Sequence, residues 1–277
     1  MKCCINNFDN LLFTNDTNNI EEISFNFEDI ELVKLIEKIQ EYSNKRIILD
    51  VEVAKLSKGN ECLDTLKMLY DAYKNIVLRL DFSNINVIRK LKKLDIPFFL
   101  RYSAIADSFD RMEAICALGV TDVYVAGEIC FSMDRVKSIA DKYEVAIRVL
   151  PNVVRHSGQV RELFYQNLDS LTSFWIRPGD LYLYEDYVDI IEFFAPDNLQ
   201  ETYYEMYFTE VGYKGNLSIA IDGLNEDIKN TCIPSEFTEA RLNCGKRCRF
   251  NECHKCHKYA ALAKLMLDND LEVEEGE

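Results

Sequence analysis

Along most of the chain, short apolar or β-branched runs alternate with longer stretches of helical periodicity. The period-two runs predict strands at 22–28, 46–52, 76–83, 97–103, 122–128, 145–152, 173–178 and 189–195. Between them, apolar residues recur at helical spacing. The stripes are Leu32, Leu35, Ile36 and Ile39; Leu63, Leu66, Leu69 and Tyr73; Val87, Ile88, Leu91 and Leu94; Phe109, Met112, Ile115 and Cys116; and Met133, Val136, Ile139, Ala140 and Tyr143. Each stripe predicts a helix with one apolar face. Such alternation implies parallel strands joined by crossover helices, and eight strands in that rhythm predict an α/β fold, a (β/α)8 TIM-like barrel. An open doubly wound sheet is the alternative, but the chain has no Gly-rich phosphate loop to go with it. After residue 196 the rhythm changes. A helix is expected at 199–209, an extra strand at Leu217–Ile221 and a last helix at 259–267. The implied organisation is a barrel over 1–223, a Cys-rich extension packed on it over 224–267, and an acidic tail over 268–277.

Side chains alternate between the two faces of a strand, so the apolar set on each strand fixes which residues point into the barrel. Ile76, Leu78, Leu80 and Phe82 face the helices, which turns Arg79, Asp81 and Ser83 inward. The same parity turns inward Ser24, Asn26 and Glu28; Asp50 and Glu52; Arg101 and Ser103; Tyr124 and Glu128; Arg148 and Asn152; Arg177; and Glu192. Barrel chemistry sits at the C-terminal ends of the strands. Asp50, Asp81, Arg101, Glu128, Arg148 and Arg177 are therefore the candidate catalytic residues. Arginines would orient a small anionic substrate and carboxylates would exchange protons. An internally paired ion network that only stabilises the barrel accounts for the same residues equally well.

The 277 residues suit one large domain, and a hydrophobic content of 48% supports a sizeable core. A net charge of −15 weighs against a broad interface with phosphate backbones. No stretch approaches a membrane-spanning length, and the start of the chain lacks the apolar run of a signal peptide. A reducing, cytoplasmic setting is expected, in which the ten cysteines are buried thiols or ligands rather than disulfides.

Four of them cluster. Cys244, Cys248, Cys253 and Cys256 follow the spacing C-x3-C-x4-C-x2-C, with His254 and His257 interleaved. Four thiolates so close in sequence can wrap one tetrahedral metal or one cubane cluster, so these are the candidate metal ligands, for a [4Fe-4S] cluster or alternatively for Zn. Lys246, Arg247, Arg249, Lys255 and Lys258 would offset the thiolate charge or offer a small basic patch. Of the other cysteines, Cys62 and Cys116 read as core. Cys130 is the candidate for a reactive thiol, and His156 for a loop base.

The stretch Gly119-Val120-Thr121-Asp122-Val123-Tyr124-Val125-Ala126-Gly127-Glu128 resembles a strand of the U32-type (collagenase-like) peptidase family. So does Ile176-Arg177-Pro178-Gly179-Asp180 followed by Tyr184-Glu185 and Tyr187-Val188-Asp189, and the likeness spans 97–260. What this resemblance implies is a barrel carrying a four-cysteine iron–sulfur cluster, in a group that includes oxygen-independent hydroxylases of RNA bases and quinone precursors as well as peptidases. It gives the ligand role to Cys244, Cys248, Cys253 and Cys256. It hands over no catalytic residue.

Overall fold

The computed structural model describes residues 1–6, 19–58, 60–152, 174–193, 199–208, 212–221, 228–234, 236–242, 244, 258–259, 261–262 and 265–266. Eight parallel strands form one sheet: β1 (Lys2–Asn6), β2 (Ile20–Asn26), β3 (Arg46–Val51), β4 (Ile76–Leu80), β5 (Phe98–Leu100), β6 (Asp122–Tyr124), β7 (Ala146–Val149) and β8 (Ile190–Glu192). Each strand pairs with its sequence neighbour from β1 to β5 and from β6 to β8, and β1 also pairs with β8. The remaining seam is bridged by loop residues. Thr121 N donates to Phe98 O at 2.9 Å, Ala106 N to Tyr124 O at 2.8 Å, and Ala126 N to Ala106 O at 3.0 Å. The sheet is thus a nearly closed α/β barrel of the TIM type, the class that strand–helix alternation predicts.

The helices on its outside bury the expected stripes. They are α1 (Leu32–Glu41), α2 (Val53–Lys58), α3 (Glu61–Ala72), α4 (Ile85–Lys93), α5 (Phe109–Cys116) and α6 (Met133–Tyr143). Leu35 and Ile39 of α1, Leu63, Leu66 and Leu69 of α3, and Val87, Ile88 and Leu91 of α4 are all buried against the strands. Local chemistry starts two of these helices. Asn84 accepts the amides of Asn86 and Val87 ahead of α4, and Ser108 accepts that of Arg111 ahead of α5. At the exit of β6, Gly127 turns the chain with φ +67° into a short 3-10 turn, Gly127–Phe131, a conformation costly for any residue with a Cβ.

Two sequence expectations fail here. The segment 173–178 is not a barrel strand. Phe174 forms only a bridge, and Ile176 N reaches Pro151 O at 3.0 Å, beyond the end of β7. Trp175 packs instead into a second cluster away from the main core. The place in the barrel is taken by β1, whose Cys3, Cys4 and Ile5 are wholly buried although the surrounding sequence is polar. Leu217–Ile221 is not a strand either. Asn216 accepts the Ser218 amide and starts the short helix α8 (Leu217–Ala220).

Helix α7 (Gln200–Phe208) follows the barrel, and α9 (Glu236–Arg241) comes late in the chain. These later residues pack on the loops that follow β6 and β7. Leu217, Ala220, Ile221, Ile228, Ile233 and Phe237 gather around Trp175, and the Arg241 guanidinium lies over Phe237 (4.4 Å), Phe131 (4.9 Å) and Trp175 (5.6 Å). The described positions from 258 to 266 are helical, as the sequence pattern predicts. Among the described residues, no helix is long and apolar enough to cross a membrane.

β1 joins β2 to β8, so its packing should matter more than its length suggests. Truncating fully buried Ile5 to Ala is expected to cost about 2–5 kcal/mol, read as a lowered denaturant midpoint with unchanged slope.

Candidate functional site

The inward parity of the strands places a column of alternating charge along the barrel axis. Asp50 and Arg79 are register partners on β3 and β4. Arg79 grips Asp50 with two bonds, Nε to Oδ1 at 2.7 Å and Nη2 to Oδ2 at 2.6 Å. Its Nη1 donates to Glu192 Oε1 at 2.5 Å, and Nη2 also reaches Ser24 Oγ at 3.2 Å. Tyr124 OH donates to the other oxygen of Glu192 at 2.5 Å. Burial, reinforced by Glu192, pushes the Tyr124 phenol well above its ordinary pKa and keeps it a proton donor.

Deeper in the barrel, Arg148 Nη1 lies 3.6 Å from Glu192 Oε2. Arg148 Nε donates to Asp122 Oδ1 at 3.1 Å and Nη2 donates to Glu22, while the guanidinium plane lies 4.3 Å from the centre of the Phe99 ring. At the N-terminal end, Arg46 closes the column. It donates to Glu22 at 2.7 Å, to both oxygens of Asp122 at 2.8 and 2.5 Å, and to Thr121 Oγ1 at 3.1 Å. At the C-terminal end, Arg101 Nε donates to Asp50 Oδ1 at 2.9 Å.

Arg46, Arg79, Arg101 and Arg148 thus face Glu22, Asp50, Asp122 and Glu192, four charges of each sign. Isolated charges here would be prohibitively costly, and the alternation of sign is what makes the interior tenable. Burial pushes the Asp50 carboxyl upward, but Arg79 and Arg101 outweigh it and hold it below the usual range. For Asp122 the same balance is struck by burial against Arg148 and Arg46.

The candidate residues divide along this geometry. Asp50, Arg101 and Arg148 belong to one column, with Asp50 and Arg101 in direct contact and Arg148 reached through Arg79 and Glu192. Asp81 sits at the mouth, where its Oδ1 accepts the amides of Val53 (2.9 Å) and Phe82 (3.1 Å) and ties two loops together. Glu128 lies in the 3-10 turn after β6. Arg177 is not in the column. It pairs with Asp180 at 3.0 Å and donates Nη1 to Ile233 O at 2.8 Å, anchoring the C-terminal extension. Glu52 is exposed beyond the end of β3.

Sequence reasoning missed Glu22, Asp122 and Arg46, although each shares the inward parity of residues that it did identify. It followed the strands toward their C-terminal ends, whereas half of the column lies at the other end. Cys130 is fully buried and burial pushes its thiol well above the ordinary range, the opposite of a reactive thiolate. His156 lies outside the described residues, as do Cys248, Cys253 and Cys256. Cys244 is partly buried against the main core, and its amide donates to Arg241 O at 3.1 Å. Among the described residues, no group of three or more His, Cys, Asp or Glu side chains is placed to hold a metal ion.

No family model matches the chain, and no curated protein matches it either. Among solved structures it is similar to RipC from Yersinia pestis, at 10% identity with a TM-score of 0.34, covering 72% of this chain and 92% of that one. That likeness is too slight to bear on function.

Two outcomes follow from the column. Arg148→Met takes one of two arginine partners from each of Glu22, Asp122 and Glu192, all buried, and should lose about 3–5 kcal/mol in chemical denaturation. The depressed carboxyls of Asp50 and Asp122 also set an acid limit. Their contribution is complete above the unfolded Asp value of about 3.9 and disappears as pH falls through the lower folded values. Denaturant midpoints measured from about pH 6 down to pH 3 should therefore hold and then drop below about pH 4.

Proposed function

We propose that this is a U32-like barrel protein that binds a [4Fe-4S] cluster or a zinc ion through Cys244, Cys248, Cys253 and Cys256 and acts at its C-terminal mouth on a small anionic or RNA-derived substrate. The observation that carries the reading is the anchoring of the cysteine segment at both ends. Upstream, Cys244 N is bonded to Arg241 O at the end of α9, the helix that holds Phe237. Downstream, the Tyr259 ring meets Phe237 edge-on at 6.0 Å. The two ends of the segment thus return to one helix, α9. Much of the entropy of gathering four ligands is then already spent in the fold.

The donor set fits both centres, since four thiolates hold tetrahedral zinc as well as a cubane cluster. A cluster would supply electron transfer, as in the hydroxylases of the family that the sequence resembles, while zinc would supply structure. Arg177, Asp180, Thr238 and Asn230 fasten the same extension to the segment after β7. Through these contacts a metal centre in the extension would be coupled to the mouth.

A second reading, a non-catalytic scaffold with a structural zinc, draws support from the column. Its charges balance internally without any ligand.

Anaerobic purification followed by metal and sulfide analysis tests the proposal. About four iron and four sulfide per chain, with a visible band bleached by dithionite, is the expected result for the cluster. About one zinc in a colourless protein favours the scaffold. Neither metal, with Cys253→Ser behaving as wild type, overturns both. Trp175 is the chain's single tryptophan and lies 5.3 Å from the Phe237 ring, so its fluorescence should change when a chelator strips the centre.

A further inference from the structure

Both ends of the charge column finish on a half-buried arginine, and the two ends differ. At the N-terminal end the Arg46 side chain is 27% exposed, and both of its Nη atoms are engaged by Glu22, Asp122 and Thr121. At the C-terminal end the Arg101 side chain is 34% exposed and commits only Nε, to Asp50. Its Nη1 and Nη2 meet no partner among the described residues. Asp50 engages Arg101 through Nε. Its two oxygens already accept three N–H groups, two from Arg79 and one from Arg101. Arg101 is the last charge of the column on this side, so the edge that faces the mouth is a guanidinium. A guanidinium clamped through Nε presents its two Nη donors as a planar fork, a shape that matches carboxylate and phosphate.

We propose that the Nη edge of Arg101 is the docking point for the oxyanion group, carboxylate or phosphate, of a small molecule entering at the C-terminal face, with Asp50 as the residue that positions it. This rests on the anionic-substrate part of the proposed function and is independent of the metal. Asp50 fixes the plane of the fork, and Arg79 in turn fixes Asp50, so the donors are set before the ligand arrives and little side-chain entropy remains to be lost. Exposed Glu52, Phe82, Ser83 and Ser103 belong to the loops on this side of the mouth, where the molecule's remaining groups would lie.

The test is calorimetric titration of the full chain with inorganic phosphate and with succinate, against chloride at matched ionic strength. Wild type should bind at least one of the two saturably. Arg101→Gln should weaken that binding about tenfold or more, and Arg101→Lys, which keeps the charge but loses the fork, by about three- to tenfold. Arg89→Gln, the same charge change on the exposed face of α4, should leave it unaltered. Arg101→Gln is expected to fold, because Asp50 keeps both bonds from Arg79. Should it not fold, Arg101→Lys decides alone. If wild type binds and the Arg101 variants bind equally well, the docking point is wrong while an anionic substrate stands. If wild type binds neither ion, both the docking point and the anionic substrate fall.

Discussion

A guanidinium cannot sit in a dry protein interior unless carboxylates surround it, and the centre of this barrel is organised by that requirement. Arg79 is held from one side by Asp50 and from the other by Glu192, and Arg148 is shared among Glu192, Asp122 and Glu22. None of these contacts is local. Three of them join strands already paired in the sheet, β3 to β4, β6 to β7 and β7 to β8, while Arg79 with Glu192 ties β4 to β8 and Arg148 with Glu22 ties β7 to β2 across the barrel, where no ladder runs. Each carboxylate of the column pairs with two arginines, so the loss of one arginine weakens the hold on every carboxylate it touches and the members are energetically coupled. An aliphatic filling of the same volume would hold the barrel as well or better. What the ionic filling adds is a fixed orientation for each head group.

Much of this was legible from alternation alone. The apolar positions of 76–83 assign Arg79 to the interior without ambiguity, and the same logic places Asp50, Arg101, Tyr124, Arg148 and Glu192, all of which lie in the column. Parity says which face a residue occupies but not how far along the barrel axis its partner lies. Pairings such as Arg148 with Glu22 were therefore beyond reach. β1 escaped notice because three consecutive buried residues, two of them cysteine, make too short and too weakly apolar a run to stand out. The opposite error arose at 173–178. A short aromatic run there looks like a strand, yet Trp175 and Arg177 serve a separate cluster, a distinction set by tertiary packing.

The C-terminal extension gives the barrel's two halves different surroundings. Arg241 of the extension packs on Phe131, and beside it Tyr207 of α7 packs on Pro151 and Ile176, its hydroxyl donating to the Ile176 carbonyl at 2.9 Å. That side, after β6 and β7, is covered. The side after β3, β4 and β5 is where exposed loop residues and the open edge of Arg101 are found. In the proposed function the covered side carries the thiolates and the open side admits the substrate, so metal and substrate would meet across the mouth.

The pairing of β1 with β8 has a consequence for how the chain is made. Strands β2 to β5 can each add to the strand before as they leave the ribosome, but the outer edge of β1 must wait for Ile190, Ile191 and Glu192. Until then Cys3 and Cys4 line an unsatisfied sheet edge, and Arg79 and Arg148 lack the carboxylate that both of them touch. Nascent chains shorter than this should be sticky and chaperone-dependent, because the closing register is among the most distant in the sequence.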